Sequence, residues 1–174
     1  MLKLIRKCSR LAGGAVLVKL YTQLPPFNGA TMWLNGEVTN EQLADGKPTF
    51  IHFWSISCHL CKVAMPKINQ FRDQFRDQLK VVAVHIPRSE SDLNVDEIIK
   101  VAADHDMIQP IFVDNNKSLT EAYGNKYVPA YYLFDKKGKL RHYQAGGNSM
   151  NMLEKRLLRL LEEAEKETEV QLLG

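Results

Sequence analysis

A chain of 174 residues with 45% apolar and 25% charged side chains has one-domain length and enough apolar material to bury a core without disulfide staples. Its formal charge of +3 is unevenly spread: residues 1–36 hold five bases and no acid, whereas residues 37–174 hold 18 bases against 20 acids. Such a mildly acidic body lacks the electrostatic footprint of a nucleic-acid binder, and no apolar run approaches the roughly 20 residues that cross a membrane.

At the N-terminus, Lys3, Arg6, Lys7 and Arg10 precede the apolar run Leu11–Val18. The run is short, Lys19 ends it, and no small-x-small cleavage site follows, so it makes a poor export signal. Arg6-Lys7 before Cys8 does not suit a lipid attachment site. The expectation is a basic tail over residues 1–17, or a start read too early with Val18 the true initiator, ahead of a cytoplasmic, monomeric domain over residues 18–166. Residues 167–174 are expected to fray.

Met32-Trp33-Leu34 predicts a short strand ending at Asn35-Gly36, and Thr39 with Gln42 a capping box for a helix over Asn40–Leu43. After the break at Asp45-Gly46-Lys47-Pro48, Thr49–Ser55 is almost continuously apolar, as a strand covered on both faces would be. A helix follows from Cys58 to about Gln78, with Pro66 inside it as a kink. Lys80–Ile86 reads as a second buried strand and Val95–Asp106 as an amphipathic helix capped by Asn94. Pro110–Val113 predicts a strand, Asp114 a turn, and Lys117–Tyr123 a short helix. Ala130–Phe134 and Lys139–Gln144 flank the hairpin signal Asp135-Lys-Lys-Gly138. Gly146-Gly147 reads as a bend beside the site before a last helix over Met150–Lys166. Strands alternating with helices imply an α/β domain, a mixed sheet with helices on both faces.

The chemistry-bearing stretch is Phe50–Pro66, a buried strand running into Cys58-His59-Leu60-Cys61 at a helix start. Two cysteines in one turn can close a disulfide ring or lie open as a dithiol. At a helix N-terminus Cys58 faces unpaired N–H groups and the positive end of the helix dipole, which stabilise a thiolate, and His59 and Lys62 add positive charge. The same geometry exposes Cys58 and shields Cys61, so that Cys58 attacks and Cys61 resolves. Half of a zinc site and a pair of inert core cysteines are the alternatives. Zinc needs two more ligands at short spacing, and only Cys8 and the isolated His52, His59, His85, His105 and His142 remain, so no metal site is expected. His85, His105 and His142 read as surface or ordinarily hydrogen-bonded residues.

Phe53-Trp54 before the cysteine pair, Pro66 after it and Val128-Pro129-Ala130 ahead of a strand resemble the thioredoxin-like superfamily. The long insertion between about Pro87 and Asp106 and the Phe-Asp-x-x-Gly hairpin look like its ResA/TlpA branch. The resemblance implies a thioredoxin fold with a ResA-type central insertion and thiol-disulfide oxidoreductase activity on protein disulfides or dithiols. It also implies an upstream reductant and no cofactor beyond the Cys58–Cys61 pair. It implies a cis Pro129 opposite the cysteines, Trp54 as a supporting aromatic, and a rim of Trp54, Ile56, Leu60 and Val128 for extended polypeptide. His52 stands where thioredoxins carry a buried acid and is the candidate for proton exchange with Cys61, imidazole having an intrinsic pKa of about 6.5 and burial keeping the ring neutral and able to accept a proton; a core histidine with its ring nitrogens satisfied by backbone is the alternative. Ala64 stands where many ResA-type proteins carry a glutamate, so the ResA role in cytochrome c maturation is not implied. The competing reading is a binding or metal-carrying module on the same fold, without turnover.

Overall fold

The computed structural model describes residues 19–173, and the tail expected over residues 1–17 lies outside the described residues. The element order is β1 (Met32–Leu34), α1 (Asn40–Leu43), β2 (Thr49–Trp54), α2 (His59–Gln74) and β3 (Lys80–His85). A short 3-10 helix (Glu90–Leu93) and α3 (Val95–Asp104) follow, then β4 (Ile111–Val113), α4 (Ser118–Tyr123), β5 (Ala130–Phe134), β6 (Leu140–Ala145) and α5 (Met150–Leu173).

The strands form one sheet in the order β1-β4-β3-β2-β5-β6. β2, β3 and β4 run parallel, while β1, β5 and β6 join antiparallel. Every residue of β2 is buried, because the strand is paired on both edges and covered on both faces. Phe50 and Trp54 enter the core under α2, α3 and α5, and Ile51 and Phe53 enter the opposite core with Leu43 of α1 and Leu119 and Tyr123 of α4. This two-sided burial is why the strand reads as an unbroken apolar run.

Local chemistry sets the element ends. Thr39 Oγ1 accepts from the Gln42 N–H while Gln42 Oε1 accepts from the Thr39 N–H, which is the expected capping box. Asn94 Oδ1 accepts from the N–H groups of Asp96 and Glu97 and starts α3. Helix α2 buries Cys61, Ala64, Met65, Ile68 and Phe71 along one face and carries Pro66 on its exposed side, with helical structure continuing through it.

Two helix ends differ from expectation. α2 stops at Gln74, not near Gln78, because the N–H groups of Gln78 and Leu79 fold back onto the Phe75 carbonyl and carry Leu79 into the core. α5 continues past Lys166 to Leu173 instead of fraying; Lys136 pairs with Glu167 at 3.4 Å and fastens this last stretch to the β5–β6 hairpin. Asp114, expected in a turn, is buried and accepts from the N–H groups of Leu119 and Thr120 and the Thr120 hydroxyl, so it holds the start of α4.

Leu153 and Leu157 of α5 are fully buried against the face of the sheet that also receives α2. Leu157→Ala is expected to lower unfolding stability by about 2–5 kcal/mol, read from the urea midpoint, with the far-UV spectrum retained.

Candidate active site

β2 ends at Trp54, and Ser55-Ile56-Ser57 turns the chain into Cys58, the N-cap of α2. Cys58 and Cys61 are joined as a disulfide with their Cα atoms 5.3 Å apart. Cys58 Sγ also accepts the Cys61 N–H at 3.2 Å, the place an oxygen takes in an ordinary cap. No acid lies in the first turn of α2, so no carboxylate of the helix itself opposes the dipole and the free N–H groups at Cys58. Cys58 is less exposed than expected, at 4% against 1% for Cys61. Both cysteines belong to the core cluster under α2, and Cys58 also borders a groove of about 710 Å3 that Cys61 does not line.

The turn before Cys58 is held by the chain that follows β3. One oxygen of Asp92, Oδ2, accepts from the Ser55 hydroxyl at 2.8 Å, the Ser57 hydroxyl at 2.7 Å and the Arg88 N–H at 2.9 Å. Burial by itself would raise the Asp92 pKa, but the hydrogen bonds from Arg88, Ser57, Ser55 and Ser89 hold it below the usual carboxylate value. His85 Nε2 lies 3.4 Å from the Ile56 N–H. Asp92 belongs to the 3-10 helix of the central insertion, so the insertion fastens the active-site turn. None of these partners carries a local sequence signal, since Asp92 lies 37 residues from Ser55.

Trp54 corrects one expectation: it is buried, not a rim residue, and its ring meets that of His85 edge-to-face at 5.1 Å. His85 takes the hydrogen-bonded one of its two expected settings, through Nε2 to the Ile56 N–H; it is fully buried, and burial pushes its pKa down to about 4 against the raising effect of Asp92.

His52 is held in a chain of hydrogen bonds that runs back to α2. Arg72 Nη1 donates to Gln109 Oε1 at 2.9 Å, and since a guanidinium only donates, the Gln109 amide nitrogen must face the other way. It does, lying 3.0 Å from His52 Nε2, so that Nε2 is an acceptor and the ring proton sits on Nδ1. Burial, aided by the positive charge of Arg72, pushes the His52 pKa down to about 3. A ring so placed stays neutral near pH 7, and its one accepting nitrogen is already engaged by Gln109.

The remaining expected residues gather around the cysteines. His59 and Leu60 are exposed on the first turn of α2, with Leu60 backed by Gly147, and Ile56 and Lys62 are half-buried. Val128 is half-buried across the groove, and the Val128–Pro129 bond is cis. The groove also contains three cations that the apolar reading of the rim missed: Arg88, Lys117 and Lys126. Among the described residues, no group of three or more His, Cys, Asp or Glu side chains could hold a metal ion, and no helix is long and apolar enough to cross a membrane.

A disulfide that only braced the fold would not need one sulfur at the mouth of a groove and on the N-terminus of a helix. Here the bond is placed to open and close, and the chain is a thiol-disulfide oxidoreductase with the thioredoxin fold. It belongs to the AhpC/TSA family, whose pattern matches residues 21–143. Over 148 residues it is 62% identical to the thiol-disulfide oxidoreductase YkuV of Bacillus subtilis, spanning 85% of this chain and all of that one. The solution structure of a thioredoxin-like protein in its oxidised form superposes with a TM-score of 0.79 at 63% identity, covering 83% of this chain and 98% of the other. ResA of Geobacillus thermodenitrificans is 31% identical over 102 residues, 58% of this chain and 56% of its own.

Two outcomes follow from the buried polar groups. Asp92→Ala strips the buried Ser55 hydroxyl of its acceptor and should cost about 1–3 kcal/mol of stability, measured by urea unfolding of the oxidised protein. His52 and His85 have folded pKa values of about 3 and about 4, below the unfolded value near ~6.5. The unfolded chain therefore binds more protons between these values, and stability is greatest above pH 6.5 and falls as the pH drops toward 3. Urea midpoints at pH 7 and pH 4.5 should differ less in His52→Gln than in the wild type.

Proposed function

We propose that the protein reduces disulfide bonds in other proteins, carrying the electrons on its own cysteine pair without an added cofactor. What supports this is the position of Cys58, which borders the groove with its sulfur on the Cys61 N–H. In the reduced protein the Cys58 thiolate attacks one sulfur of the substrate disulfide. A Cys58–substrate bond forms, the substrate S–S bond breaks, and the departing sulfur leaves as a thiolate that takes a proton from solvent. Cys61, as its thiolate, then attacks Cys58 Sγ, closing the Cys58–Cys61 bond and releasing the second substrate sulfur. Two electrons have passed to the substrate, whose second sulfur also leaves as a thiolate and is protonated from solvent, to which Cys61 has given up its own proton; a cellular dithiol returns the pair to its reduced state.

The disulfide ring sits at the end of β2, where the cis Val128–Pro129 segment forms the facing wall and Leu60 and Tyr127 stay exposed on either side. An open wall of this kind suits an extended polypeptide better than an enclosed small molecule. Proton removal from Cys61 is not assigned to His52, whose pKa lies far below neutrality and whose accepting nitrogen bonds Gln109. A cytoplasmic location and a monomeric state belong to the same proposal, and cell fractionation and sedimentation check them.

The protein should accelerate the reduction of insulin by dithiothreitol, followed by turbidity, and Cys58→Ala should return the rate to background. Cys61→Ser should instead halt after the first step with the substrate covalently attached to Cys58, visible by mass spectrometry. Faster turnover of oxidised glutathione than of any protein disulfide would overturn the protein-substrate reading.

A further inference from the structure

We propose that the groove beside Cys58 selects disulfides flanked by acidic residues, a proposal that rests on the exchange activity and specifies its substrate class. Apart from Cys58 and its neighbours on α2, the groove is walled by the segments that follow β3 and that bracket α4. Those segments contribute Arg88, just after β3, Lys117, at the start of α4, and Lys126, between α4 and β5. All three are exposed, and among the described residues no aspartate or glutamate lines the groove. Residues 37–174 as a whole carry more acids than bases, so the positive groove is a local reversal of sign and not a sample of the surface.

The cations are placed with some rigidity. Arg88 donates its backbone N–H to buried Asp92 and points Nη1 at the Ser57 carbonyl, 3.4 Å away, which lays the guanidinium along the turn that leads into Cys58. Lys117 occupies the left-handed region at φ 60°, with its N–H bonded to the Asp114 carbonyl at 3.0 Å, so its backbone is fixed at the head of α4. Among the described residues none of the three has a carboxylate within ion-pairing distance, whereas Lys67, Arg72, Lys80 and Arg141 do elsewhere on the surface. The one nearby buried acid, Asp92, lies under the turn with its Oδ2 committed to Ser55, Ser57 and Arg88. A substrate strand lying between α2 and the Lys126–Val128 wall brings its flanking side chains within about one Debye length, ~8 Å at physiological salt, of these charges. Carboxylates there are steered and held, and ammonium groups are repelled.

The same cations could serve only to favour the Cys58 thiolate, and the ratio of rates for differently charged substrates separates the two roles. Three synthetic peptides with one disulfide loop and flanks of Asp-Glu, Ser-Ser or Lys-Lys are mixed with the reduced wild-type protein, and thiol release is followed by chromatography. The acidic peptide should react at least about tenfold faster than the basic one at low ionic strength, with the advantage shrinking in 0.5 M salt, an increase that takes the Debye length to a few ångströms. In the double variant Lys117→Glu with Lys126→Glu the acidic-to-basic ratio should fall below one. Equal wild-type rates for the acidic and basic peptides overturn the proposal. So does an unchanged ratio in the double variant, even if every rate falls, because the cations would then act on Cys58 alone. Absence of reaction with all three peptides would sink the exchange reading beneath it.

Discussion

The fold turns on the confinement of β2. With β3 on one edge, β5 on the other and core on both faces, the strand has no freedom of register or rotation. A one-residue slip would drive Phe50, His52 and Trp54 into the opposite core. The chain that leaves β2 at Trp54 is therefore delivered to one place, and three residues later it must begin a helix whose buried face starts at Cys61. Cys58 falls between the two constraints, in extended backbone at φ −91° and ψ 102°, where its sulfur meets the first free N–H groups of α2. Reactivity follows from placement, since the same cysteine one turn further along would have neither the dipole nor the groove.

Around this junction the protein buries an unusual set of polar groups. Ser55, His52, His85, Gln109 and Asp92 all lie inside. Each could be costly alone, and most are satisfied by one another across long sequence separations. Asp92 gathers two serine hydroxyls and a backbone N–H, and Gln109 bridges Arg72 to His52. The first set fixes the turn that carries Cys58. The second fastens the far part of α2 to β2 and fixes the tautomer of a histidine that stays neutral. Both tie the strand–helix junction to parts of the chain distant in sequence.

Most element types and many limits were readable along the chain because they depend on neighbours in sequence. The capping box at Thr39, the Asn94 cap, the unbroken apolar run of β2 and the hairpin at Asp135–Gly138 are all local signals. The cysteine pair, its setting between strand and helix, and the order of attack and resolution came from the same short stretch. The ends of α2 and α5 were misread because each is decided by packing: Leu79 must enter the core, and Lys136 reaches Glu167 from a distant hairpin.

The sequence by itself thus determined the class of fold and the cysteine pair, since a 2.0 or 3.6 periodicity and a two-residue spacing are written in adjacent residues. Tertiary structure alone decided the environment of that pair. Where a histidine titrates depends on its burial and its partner, and the pKa values of His52 and His85 are lowered because the sheet closes over them. Whether lysines are scattered or convergent depends on where strands end, and Arg88, Lys117 and Lys126 share a groove only because the parallel order of β3 and β4 brings their C-terminal ends beside Cys58. Charge, hydration and distance are properties of the folded surface, and no local pattern in the chain encodes them.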